Sequence, residues 1–137
     1  MPTLHSSIEA ALFARAAALV LSPVLPIAWP NVAFTKPLTG YLRVSHMPNT
    51  ARRLFIAGSD PHQRIGLLQI DAFQKLNAGA SAATEIAGQI AAWFPCDLPL
   101  FQDGIRIRVT KAPDIAGALS DDTHWMVPVT VSYEAFA

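Results

Sequence analysis

Two short stretches bring carboxylates and imidazoles together, SDPH at residues 59–62 and DDTH at residues 121–124. Metal binding or general acid–base chemistry needs these residue types, with imidazole nitrogens and carboxylate oxygens aimed at one point. Neither spacing matches a metal-binding motif, and Ser and Asp in such runs ordinarily cap turn backbone. Both stretches therefore read as turns. Ser120, Asp121 and His124 supply the residue types of a hydrolytic triad, but a triad is a matter of geometry that one short loop rarely provides. The glycines form neither a phosphate loop nor a dinucleotide fingerprint. No catalytic residue, cofactor or metal is expected.

Six arginines on or beside predicted strands carry more information: Arg43, Arg52, Arg53, Arg64, Arg106 and Arg108. They suit the solvated face of a sheet or protection of its edge, or else pairing between subunits or a lining around a polyanion, with the Arg52–Arg53 or Arg106–Arg108 cluster expected to pair with carboxylates such as Asp71 or Asp103. Ten basic and ten acidic residues give zero formal charge, so broad electrostatic capture of nucleic acid or of a membrane surface is excluded. Only 15% of residues are charged while 52% are hydrophobic, a balance that leans toward self-assembly. The lone Cys96 rules out an internal disulfide, fits a reducing compartment, and reads as a small buried hydrophobe.

The elements that position these residues follow from periodicity. Ser6 and Glu9 form a capping box, and Ile8, Leu12, Ala16 and Leu19 recur at helical spacing until Pro23 and Pro26 forbid continuation. That apolar segment contains Arg15 and is too short to span a bilayer, and no basic n-region of a signal peptide precedes it. Short extended pieces are expected around residues 27–29. YLRVSH (41–46) and RRLFIAG (52–58), separated by a turn MPNTA, predict a hairpin that continues through SDPHQ into RIGLLQIDAF (64–73). TEIAGQIAAWF (84–94) predicts a second helix stopped by Pro95. GIRIRVT (104–110) places Ile105, Ile107 and Val109 inward and Arg106 and Arg108 outward. HWMVPVTVSYEAF (124–136) aligns Trp125, Val127, Val129, Val131 and Tyr133, with Pro128 at a bulge or an edge. Residues 1–137 thus predict one α+β domain, a single antiparallel or mixed sheet of about five strands with two helices packed on it.

Within this sheet RIGLLQIDAF is unusual. Leu68, Ile70 and Ala72 share a core face, whereas Leu67, Gln69, Asp71 and Phe73 share a second face of mixed polarity. Such a mixture suits a protein interface better than a core or a bare surface.

The order WPNVAFTKP (29–37), YLRV (41–44), RIGLLQIDAF, IAGQIAAWF (86–94) and VPVTVSY (127–133) resembles a family of uncharacterised phage and prophage proteins, with Asn31, Phe34, Arg64, Gly66 and Gln69 as its more specific residues. Lys36 departs from the pattern, where a second proline would stand beside Pro37. That family is similar in turn to the tail terminators of long-tailed phages, of the lambda terminator type. The resemblance implies a structural protein without cofactor that forms a hexameric ring, caps the tail tube, stops its polymerisation and presents a head–tail joining surface. Its implied partners are further copies of itself, the tail tube protein and a head-completion or neck protein, with no specific nucleic acid and no membrane. It would reside in the virion tail, and in the host cytoplasm before assembly. Leu67, Gln69, Asp71, Phe73, Arg52, Arg53, Arg106 and Arg108 are the suspected subunit or tube contacts. The alternatives are another neck or tail-completion component, or a small-ligand domain whose pocket is lined by Trp29, Phe34, Trp93 and Phe94.

Overall fold

A computed structural model describes residues 3–121 and 123–137; Asp122 of the DDTH run lies outside the described residues. Helix α1 (Leu4–Ala17) is followed by β1 (Ile27–Ala28), β2 (Gly40–Arg52) and β3 (Gln63–Lys75). Helix α2 (Ser81–Trp93) leads to β4 (Pro99–Gln102), β5 (Ile105–Val109), β6 (Asp114–Ile115), β7 (Leu119–Ser120) and β8 (His124–Phe136). The strands form one mixed sheet in the order β1-β2-β3-β8-β5-β4, with β6 and β7 patching the free side of β8. The α+β class and both helices match expectation, but the sheet has eight strands rather than about five.

Strand β1 fits the short extended pieces expected around residues 27–29; the added strands are β4 and the two-residue β6 and β7, which are too short for a period-2 pattern to register. One expected strand is absent. Residues 53–58 do not join the sheet; instead β2 runs straight through the predicted MPNTA turn. A register shift between Pro48 and Thr50 absorbs the irregularity. Pro48 is tolerated because it has the parity of Leu42, whose N–H points away from β3 to the Pro26 carbonyl at 2.9 Å. Beyond β1 that side of β2 is an open edge, where a missing donor costs no ladder bond.

Helix α1 starts earlier than the capping box predicts. Thr3 is the N-cap, its hydroxyl accepting from the Ser6 N–H at 3.3 Å, which leaves Glu9 free for another partner. Ile8, Leu12 and Ala16 are buried as the spacing requires, although the helix ends at Ala17, short of the prolines. Cys96 is exposed rather than buried, because it falls in the turn that follows Pro95.

One apolar cluster joins Ile8 and Leu12 of α1, Ile86 and Ile90 of α2, and one face of the sheet: Leu68, Ile70, Ala72, Ile107, Val109, Val127, Val129 and Val131. Each large aliphatic side chain buried there contributes about 1.5–3 kcal/mol. The two helices therefore cover one face only. The residues of opposite parity form the other face.

Candidate functional site

The register sets out the helix-free face row by row. Tyr41, Arg43, Ser45 and Met47 of β2 stand opposite Phe73, Asp71, Gln69 and Leu67 of β3, and these stand opposite Met126, Pro128, Thr130 and Ser132 of β8. Arg108 of β5 pairs with Glu134 of β8, and Arg52 with Gln63, extending the same face. The residues suspected from sequence are thus brought largely onto one surface, with Arg53 in the adjoining loop.

At its centre is a carboxylate clamp. The Arg43 Nε and Nη2 atoms donate to Asp71 Oδ2 at 3.0 and 2.8 Å, and Gln69 Nε2 donates to Asp71 Oδ1 at 2.8 Å. Asp71 is fully buried although no helix covers it, whereas the Arg43 side chain remains 49% exposed. Burying a carboxylate this way requires both oxygens to be satisfied, and here they are. The Arg43 guanidinium also lies over the Phe73 ring, 5.0 Å from its centroid.

Phe73 is only 3% exposed, so it lies beneath Arg43 instead of offering its ring to another chain. It stacks on Tyr41 with centroids 4.4 Å apart, and His124 meets both rings edge-on. His124 is buried and bonds the Pro37 carbonyl through Nε2 at 2.8 Å, tying the proline-rich loop to β8. Asp121 caps the turn before it, accepting from the N–H groups of Thr123 and His124, and these bonds hold its carboxyl below the ordinary carboxylate range. Burial pushes the Tyr41 hydroxyl pKa up.

A second charged group lies toward the far end of the face. Arg108 bridges Glu134 and Asp97, and Gln63 Nε2 donates to Glu134 at 2.8 Å. Burial pushes Glu134 up, but the bonds from Arg108 and Gln63 outweigh it and leave its pKa lowered. The same two carboxylates raise Arg108 above its ordinary value. The expected partners differ: Asp71 belongs to Arg43, and Asp103 accepts from the Ser7 hydroxyl at 2.7 Å. Arg106 is exposed and makes no ion pair among the described residues. Leu67 and Gln69 are half-buried, and Met47 is 38% exposed.

Among the described residues the two turn clusters do not come together. His62 precedes β3 and His124 pairs with Lys75 at its other end, so about 40 Å of strand separates them. Among the described residues no group of three His, Cys, Asp or Glu is placed to hold a metal ion. Nor do the four aromatics converge on a pocket. Phe94 is in the core, Trp93 lies under Arg15 and donates to its carbonyl, Phe34 packs on Tyr41, and Trp29 packs on Phe13.

Sequence reasoning missed one polar chain under α1. Glu9 bonds His46 Nδ1 at 3.0 Å, and His46 Nε2 meets the Tyr133 hydroxyl at 2.6 Å. Burial pushes that hydroxyl up to about 12. Gly66 makes room for it, since a Cβ there would sit 2.3 Å from the Tyr133 oxygen. The signal lay in Gly66 facing Tyr133, and it is visible only once the strands are registered.

No curated protein matches this sequence. A solved structure superposes with a TM-score of 0.79 and 28% sequence identity, over 98% of this chain and 96% of that one. No helix is long and apolar enough to cross a membrane among the described residues. The model of the family described as phage tail terminator protein matches residues 7–133, nearly the whole chain. The chain therefore belongs to the phage tail terminator family, and its role is that of a structural protein of a phage tail.

Proposed function

We propose that this chain forms a ring of six copies on the end of the tail tube, stops its polymerisation and offers the surface to which the head is joined. The observation that carries the reading is the helix-free sheet face, where charges are paired in advance and apolar side chains stand between them. Such a face suits docking, because Arg43, Gln69, Leu67 and Met47 are accessible while the groups beneath them are already fixed. Its partners would be a neighbouring copy or the tube protein on this face, and a head-completion protein elsewhere. A closed ring requires a head-to-tail contact between unlike surfaces.

Residues 1–137 act in this reading as one terminator domain in the virion tail, present in the host cytoplasm before assembly. Duplex DNA passing through the ring would not be gripped, since zero net charge provides no broad field. Interrupting the gene in its phage tests the function. Tubes of overgrown, scattered length that fail to join heads are expected; tubes of normal length would refute capping. A neck component instead would leave tube length normal and block only the joining step.

A further inference from the structure

The loop between β2 and β3 carries three outward apolar residues near its start. Ile56 is 95% exposed, Phe55 54% and Leu54 38%. The loop is shaped from within, because Arg53 donates to the carbonyls of Phe55 and Ile56. A preformed knob loses less conformational freedom on docking than a floppy one.

At the other end of β2 is an aliphatic socket. Leu19, Val20, Val24, Leu25 and Ile27 line a cavity of about 140 Å³ above Leu42. An apolar cavity of about 150 Å³ accepts a benzene-sized group, so one branched aliphatic side chain fits. Val20 and Val24, on its rim, are 80% and 84% exposed. Between Leu42 and Arg52, which leads into the knob, β2 extends by roughly 30 Å or more. A chain cannot fill its own socket.

Charge follows the same arrangement. Arg52, beside the knob, has no ion-pair partner among the described residues. Glu85, beside the socket, is exposed and accepts from Gln89, whose amide also holds the N–H and carbonyl of Ser22 on the socket loop. An unpaired cation at the knob and a carboxylate at the socket are complementary.

We infer that Ile56 of one copy seats in the Leu19–Ile27 socket of the next, with Arg52 facing Glu85 across the boundary. The contact rests on the ring reading and specifies its head-to-tail surfaces. Its test uses Cys96→Ser chains carrying Ile56→Cys, Val24→Cys or both, oxidised on assembled tails and in concentrated protein. The mixed single variants should form disulfide-linked dimers, and the double variant a ladder closing at six. Ile56→Asp should leave the thermal midpoint unchanged yet weaken association about tenfold or more, because an aliphatic socket offers a carboxylate no partner. Arg52→Glu should weaken it less, and Glu85→Arg in the same chain should restore it. A ring on tails that shows no disulfide and tolerates Ile56→Asp overturns the contact while leaving the ring intact. Absence of any ring overturns the ring reading itself. Disulfides from Ile56→Cys to the tube protein would overturn a second copy as the occupant.

Discussion

Strand β3 presents two faces built on opposite principles. Leu68, Ile70 and Ala72 are buried because a second layer, the helices, lies on them. Asp71 and Phe73 are just as buried on the other face, yet there Arg43, Gln69, Tyr41 and His124 of the same sheet pack on them in place of a helix. On the first face burial selects uniform apolarity. On the second it selects a carboxylate with both oxygens occupied and a ring with stacking partners. Mixed composition on a strand face therefore does not by itself indicate exposure; what matters is whether each polar group meets its partner across the register.

The largest effect should come from the helix-covered face. Ile70→Ala removes a fully buried side chain from the centre of the cluster and should destabilise the chain by about 2–5 kcal/mol, read from denaturant midpoints. On the other face Asp71→Ala strips the partner from Arg43 and Gln69, both of which can still reach water, so a loss of about 1–3 kcal/mol is expected. Equal losses at the two positions would erase the distinction between the faces.

Acid should sharpen the contrast, because Glu134 and Asp121 are both held below their ordinary values. A depressed carboxylate gives stability that is fully present above its unfolded pKa, about 4, and is lost as pH falls through the lower folded value. The thermal midpoint should accordingly decline below about pH 4. Glu134→Gln should flatten that decline; an unchanged slope would show that Glu134 is not part of it.

The smallest effect separates two neighbours that look alike in sequence. Arg106→Glu, at an exposed site, should shift stability by no more than about 0.5 kcal/mol. Arg108→Glu places a third carboxylate beside Glu134 and Asp97 and should lower stability measurably. Thermal unfolding of the two variants side by side decides the point. Parity alone treats both as outward arginines.

Much of this was legible beforehand. Period-2 alternation located β8 to the residue and assigned the inward residues of β5, and Ile86 with Ile90 located α2. The hairpin was misplaced because Pro48-Asn49 carries turn chemistry while LFI carries strand chemistry, and tertiary context reversed both. An open edge accepted the proline, and no strand received the apolar triplet. The eight suspected residues fell largely on one face because parity is local. Their roles needed partners distant in sequence: Arg43 for Asp71, Glu134 for Arg108, and Tyr41 with His124 for Phe73.

The central claim is that the helix-free face works within a tail-end ring. Electron cryo-microscopy of the head-proximal end of assembled tails tests it most directly. The account predicts six copies in a closed ring, with Arg43, Gln69 and Leu67 covered by a neighbouring copy or by the tube. A ring with that face open to solvent, a different copy number, or the chain located elsewhere in the particle would contradict it.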